Sequence, residues 1–165
     1  MILGFAHPAI VVPDLEKAHE FYEKMLGFST VAEESWEADN EMFNLGVGLR
    51  GSAARYYMLK GHNCFLELFE FASPARTGPS PETLGAHELG IRHLAFYVDD
   101  VWREFERLKA LGGIHMNEPV GNEELGWAIY CRDPFGNIIE LCTPRDSSEE
   151  LESLPGVIGN GAYQP

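Results

Sequence analysis

The chain has 165 residues, enough for one good core or for two small modules sharing one. With 45% hydrophobic and 23% charged residues it reads as an ordinary soluble globular protein, and no apolar run approaches the roughly 20 residues that span a bilayer. Its 12 Lys and Arg against 26 Asp and Glu leave a net charge of −14, which repels phosphate backbones and anionic lipid and so argues against nucleic acid and membrane as partners.

Met1 leads straight into a short apolar run with no basic region and no small-residue cleavage site, so a cytoplasmic location is expected. His7-Pro-Ala-Ile-Val-Val-Pro-Asp14 then reads as a short strand running into an N-cap aspartate. Leu15, Ala18, Phe21, Tyr22 and Met25 recur at helical spacing, and Gly27 ends that helix. After the turn Gly61-His-Asn63, Phe65-Leu-Glu67-Leu-Phe69 is a short apolar strand interrupted by one glutamate. Residues 72–91, rich in Pro, Gly, Ser and Thr, read as a surface linker.

The series then repeats. His93-Leu-Ala-Phe-Tyr-Val-Asp-Asp100 leads into a helix marked by Val101, Phe105 and Leu108 and followed by Gly112. The turn Asp133-Pro-Phe-Gly-Asn137 precedes Ile138-Ile-Glu140-Leu-Cys142, again an apolar strand with one glutamate. Each histidine precedes its aspartate by seven positions. Residues 1–71 and 92–143 are therefore two similar modules, each strand–helix–strands, and 144–165 is an extension beyond both.

A lone glutamate in an apolar strand is expensive to bury without a partner. Alternation puts Phe65, Glu67, Phe69 and Phe71 on one face, with Leu66 and Leu68 turned to the helix. In the second module Ile138, Glu140 and Cys142 share a face, as do His93, Ala95 and Tyr97. The two histidines and two glutamates thus point away from the helices into an apolar concavity. Any one of them fits a hydrogen-bonded core polar group equally well. Four in register with a duplicated unit point instead to a divalent cation, which offsets both charges and uses both imidazoles.

These segments, above all His7 to Asp14, Ile91 to Asp100 and Asp133 to Leu141, resemble the vicinal oxygen chelate superfamily. That group holds lactoylglutathione lyase, methylmalonyl-CoA epimerase, extradiol dioxygenases and the fosfomycin- and bleomycin-resistance proteins. The resemblance covers nearly residues 5–143. It implies an α+β fold of two tandem βαβββ modules, a curled mixed sheet forming a cleft around one metal. It implies His7, Glu67, His93 and Glu140 as ligands of one divalent ion (Zn, Ni, Fe, Mn or Co), with no organic cofactor.

The four-ligand set is closest to the lyase and epimerase members. It implies isomerase or lyase chemistry on a small molecule with adjacent oxygens, through a metal-stabilised enediolate, with Glu140 and Glu67 moving the proton. The alternatives are an Fe(II)-dependent ring-cleaving dioxygenase using His7, His93 and Glu140, and a metal-free antibiotic-binding protein. The positions at which the bacterial lyase holds glutathione with an arginine and an asparagine are Val11 and Phe71 here. Together with Phe65, Phe69, Tyr97 and Ile138 they favour an apolar or aromatic substrate.

The remaining candidates read as ordinary surface or core. His19, His62, His87 and His115 lie outside the strand register or in turns, and Glu37 and Glu41 in a solvated loop. Arg50, Arg55, Arg76 and Arg132 are possible anchors for a substrate carboxylate. Cys64, Cys131 and Cys142, odd in number and irregularly spaced, suit buried thiols in a reducing compartment. A homodimer is expected, with the tail from Leu154 packed on the neighbouring subunit or across the cleft mouth.

Overall fold

The computed structural model describes residue 1 and residues 4–144. The tail expected to pack on a neighbour lies outside them. The chain divides after Gly78 into two compact units.

The first unit begins with strand β1 (Ala9–Val11) and helix α1 (Leu15–Leu26). The Asp14 carboxylate accepts the Lys17 N–H at the helix start, and Gly27 closes the other end in the left-handed conformation. Strands β2 (Ser29–Trp36), β3 (Ala53–Lys60) and β4 (Phe65–Ser73) complete a four-stranded sheet in the order β1-β4-β3-β2. β1 runs parallel to β4, and the other pairs are antiparallel. Leu15, Ala18, Phe21, Tyr22 and Met25 of α1 are buried, as are Leu59, Leu66 and Leu68 of the sheet. Each such leucine contributes about 1.5–3 kcal/mol.

A second helix, α2 (Glu41–Val47), interrupts the stretch between β2 and β3 that reads as a solvated loop in the sequence. Asn40 caps it, its side chain accepting from the Phe43 N–H, and Gly48 ends it. Seven residues carry too little apolar periodicity to announce a helix; it is held by the Asn44–Ser52 hydrogen bond and the stacking of Phe43 on Trp36.

The second unit repeats the plan with β5 (His93–Tyr97), α3 (Val101–Ala110), β6 (Ile114–His115), β7 (Val120–Asn122), β8 (Gly126–Arg132) and β9 (Ile138–Cys142). The sheet order is β5-β9-β8-β6, with β7 paired to β8 and β5 parallel to β9. Asp100 caps α3 by accepting from Arg103 N–H. The helix ends at Ala110, with Leu111 as its cap and the positive φ displaced to Gly112. Val101, Phe105 and Leu108 are buried, as are Ile129, Cys131, Ile139 and Leu141 of strands β8 and β9, on which α3 packs. Both units are thus α+β, a mixed open sheet with its long helix on one face. Among the described residues no helix is long and apolar enough to cross a membrane.

Candidate functional site

In both sheets a parallel pair sets the same local geometry. Ala9 lies opposite Glu67 on β4, and Ala95 lies opposite Glu140 on β9. Each histidine stands two residues before that alanine, on the same face as the glutamate. In the first unit the Glu67 N–H donates to the Pro8 carbonyl (3.0 Å), which keeps His7 beside the strand end. His7 Nε2 lies 3.4 Å from Glu67 Oε2, and His93 Nε2 lies 3.2 Å from Glu140 Oε2. The histidine side chains are 35% and 36% exposed and the carboxylates 15% and 20%, so both pairs are recessed but open to a ligand.

These separations suit a shared cation. Two donors each about 2.1 Å from one ion lie about 3–3.4 Å apart at right or tetrahedral angles. Among the described residues no three His, Cys, Asp or Glu side chains stand together as a cluster. The donors come as two matching His–Glu pairs, one in each unit.

Burial pushes the Glu67 carboxyl above its ordinary range, opposed by the neighbouring His7. A raised carboxyl pKa in the fold means that folding disfavours the charged form, a cost felt above that pKa and absent in acid. Glu67→Gln should therefore raise the melting temperature of the metal-free protein at pH 8, with the gain shrinking toward pH 4. An equal gain at both pH values would show that burial of the charge is not its source.

The faces follow the alternation expected of them. Leu66 and Leu68 are 1% and 0% exposed, whereas Phe65 is open to solvent and Glu67, Phe69 and Phe71 are half-buried. His93, Ala95 and Tyr97 are exposed; Ile138, read as part of the open face, is buried.

On the glutamate face of the first sheet the aromatic rings form a continuous floor. Trp36 is buried, stacks on Phe43 of α2 with ring centroids 4.7 Å apart, and meets the edges of Phe69 and Phe71. Tyr56 packs on Phe69 at 5.1 Å, and burial, with the nearby Glu34 carboxylate adding to it, raises the pKa of its hydroxyl. A polar relay fixes α2 over this floor. Trp36 Nε1 donates to Ser52 Oγ (2.9 Å), and Ser52 Oγ donates to Asn44 Oδ1 (2.7 Å).

The second unit holds a cavity of about 440 Å³ on its glutamate face. Ala95, Tyr97, Val120, Leu125, Ala128 and Cys142 make its mostly apolar wall, and Glu140 supplies a carboxylate. Tyr130 faces the same histidine–glutamate pair. It is the cross-strand partner of Glu140, and its ring lies 4.9 Å from that of His93. Trp36, Phe43, Tyr56, Val120, Leu125 and Tyr130 are site-face residues that sequence reasoning missed. For Tyr130 a signal existed: the turn 133–137 pairs Arg132 with Ile138, and counting back two on each side reaches it.

Other polar candidates are occupied elsewhere. Arg55 bridges Glu16 and Glu70 at 2.7 and 2.8 Å. Arg132 is buried and donates to the carbonyls of Pro81, Leu84 and Gly136, so neither guanidinium is presented to a substrate. His19 pairs with Glu23 and Thr30 on the helix side of the sheet, and His87 with Glu88 at the surface. Cys131 is fully buried, which pushes its thiol up to about 12, and burial also raises Cys64; neither is an activated nucleophile.

The family model for the glyoxalase/bleomycin resistance protein/dioxygenase superfamily matches residues 4–141. The chain belongs to that superfamily. Among curated relatives it is 30% identical over 145 residues to a 2-epi-5-epi-valiolone epimerase from an Actinomyces species, covering 82% of this chain and 76% of the relative. A glyoxalase family protein from Bacillus cereus shares the fold, with a TM-score of 0.79 at 24% identity over 88% of this chain and 96% of that one. A mutant fosfomycin resistance protein from Listeria monocytogenes, solved with Mn(II) and dihydroxypropylphosphonic acid, aligns with a TM-score of 0.57 at 22% identity over 89% of this chain and 94% of that one. The superfamily's fold and the paired modules of this chain agree: two mixed, open sheets, each with one long helix.

Proposed function

We propose that the chain is a divalent-metal-dependent isomerase or lyase that moves a proton beside a carbonyl in a small substrate with two neighbouring oxygens. What carries this reading is the repeated pair, His7–Glu67 and His93–Glu140, at matching strand positions with N–O separations of 3.4 and 3.2 Å. The four side chains would hold one ion of the Zn, Ni, Fe, Mn or Co kind. When bound, that ion would act as a Lewis acid on the substrate oxygens and acidify the neighbouring C–H.

The chain's own residues do the rest. Glu67 and Glu140 are the carboxylates able to take and return the proton, and the 30% identical epimerase supports that chemistry. The apolar cavity beside Glu140 and the ring floor of the first unit suit an apolar or ring-shaped body and exclude water from the reacting carbon. The test is solvent-deuterium exchange into a panel of cyclic and aromatic hydroxyketones by the Mn(II)-loaded protein, run beside an oxygen electrode. Exchange without oxygen uptake supports the reading. Oxygen consumption with a catechol would make it a dioxygenase, and tight ligand binding without metal or exchange a sequestering protein.

Val11 and Phe71 stand where glutathione would need hydrogen-bonding partners, and Phe71 is committed to the ring cluster. Turnover of the methylglyoxal–glutathione hemithioacetal should be weak or absent, since a site without those donors loses such substrates by orders of magnitude. Efficient turnover would refute the cleft assignment. We also propose a homodimer in the cytoplasm: Phe5, Val11, Leu89 and Ile91 leave exposed apolar surface on and beside the edge strands β1 and β5. Light scattering at micromolar concentration should show about twice the 18.4 kDa chain mass, and a monomer would remove the proposal.

A further inference from the structure

The cavity on the glutamate face of the second unit has a floor of small side chains set between larger ones, and strand register makes it so. Tyr97 on β5 lies opposite Cys142 on β9, Cys142 opposite Ala128 on β8, and Ala128 opposite Val120 on β7. Side chains paired in this way share a face, so one row crosses all four strands, and all four residues line the cavity. Strands about 4.8 Å apart leave roughly 14 Å between the backbones of Tyr97 and Val120, with only a thiol and a methyl between them. Ala95 and Glu140 form the adjacent row, so this trough runs up to the carboxylate. Its outer wall is the β7–β8 hairpin. Val120 and Leu125 are 68% and 62% exposed, yet the turn that carries them is fixed. Asn122 Oδ1 accepts the N–H groups of Glu124 (3.0 Å) and Leu125 (2.8 Å), and Gly126, with φ +74, closes the three-residue loop. Large apolar side chains held exposed at the rim of a cavity suit contact with a ligand.

We infer that Ala128 is a specificity-determining residue: with Cys142 it forms a floor on which the ring of a cyclic substrate lies, between Tyr97 and the hairpin residues Val120 and Leu125. The substrate class is thus a single flat ring bearing two neighbouring oxygens, selected over an open-chain molecule with the same pair. The inference rests on the proposed function for the direction of those oxygens, toward Glu140, but not for the trough itself. A methyl at position 128 leaves the space above the floor open to a ring, and a larger side chain would occupy it. An open-chain substrate, held by its oxygens alone, does not use that space.

Two probes separate ring from oxygens. Tropolone carries a carbonyl and a hydroxyl on neighbouring carbons of a planar ring, and acetohydroxamic acid offers a comparable pair of oxygens on an open chain. In calorimetric titrations of the Mn(II)-loaded protein, Ala128→Leu should weaken tropolone about 10–100-fold and leave acetohydroxamic acid within about twofold. Leu125→Ala, at an exposed position that does not support the fold, should weaken tropolone about 3–10-fold and again spare acetohydroxamic acid. Metal content should be unchanged in both variants. Equal losses for the two probes, or tropolone affinity unchanged in both variants, would overturn the inference. A parent protein that takes up no Mn(II) would refute the metal reading instead, and the trough is then decided by titrating tropolone into the metal-free protein and following amide NMR shifts. Shifts at Ala95, Ala128 and Cys142 that Ala128→Leu abolishes support the floor, and their absence overturns it.

Discussion

Replacing Glu140 with Gln, or His93 with Ala, should strip the purified protein of most of its metal. Glu140→Gln keeps the volume of the side chain but removes its charge. One negative charge, not two, is then left to offset a dication, and the amide is a far poorer donor. His93→Ala removes an imidazole that lies 3.2 Å from Glu140 and opens the space beside the Tyr130 ring. Loss of a partner that merely orients a ligand already costs about 10–100-fold, so loss of a ligand should cost more than about 100-fold. Elemental analysis of protein purified without chelator reads the result directly. The parent should carry about one ion for each set of four ligands, and each variant below about a tenth of that. Unchanged metal content in both variants would sink the four-residue site, and with it the proton-transfer chemistry proposed for Glu67 and Glu140.

Arg132→Met should act in the opposite sense, leaving metal content untouched and costing stability. The guanidinium lies buried and donates to the carbonyls of Pro81 (3.1 Å), Gly136 (2.5 Å) and Leu84 (3.0 Å). It thereby ties the segment after Gly78 to the turn between β8 and β9. That turn leaves no room for adjustment: Gly136 has φ +92, and a Cβ there would come within 2.4 Å of the Glu82 nitrogen. Methionine fills much of the arginine volume but leaves the three carbonyls without their donor. Charge-assisted bonds of this kind are worth about 1.5–3 kcal/mol each, and water reaching part of the site limits the total to about 3 kcal/mol. For a chain of this size that corresponds to a fall of about 6–12 °C in melting temperature. A fall below about 2 °C, together with a weakened KM for an acidic substrate, would return Arg132 to the role of carboxylate anchor that its residue type suggests.

Much of the fold, and the placing of Glu67 and Glu140 on the faces away from the core leucines, was legible in the amino-acid order, because the signals that carry them are local. Asp14 and Asp100 cap helices by bonding to N–H groups three residues on, and Leu15 to Met25 declare a buried stripe by spacing alone. Glu67 and Glu140 betray themselves by interrupting apolar strands, and the period of two puts each on the face opposite its core leucines. The duplication multiplies these weak signals, since each half serves as a check on the other.

What needed the tertiary structure is whatever depends on which strand lies beside which, and at what register. The stacking of Phe43 on Trp36, and the Trp36–Ser52–Asn44 relay that holds α2, join β2, α2 and the start of β3 through contacts that no periodicity encodes. Arg132 reads as a candidate substrate anchor until the fold carries Pro81 and Leu84 to it across some fifty positions. The pairing of Tyr130 with Glu140 and of Met58 with Glu67 makes the two halves chemically unequal, although their sequences read as repeats. Caps and face alternation are set by neighbours a few residues away, so the chain order alone determined them. Cross-strand partners and buried relays are set by packing between distant segments, and only the folded chain decides which side chain a given carboxylate meets.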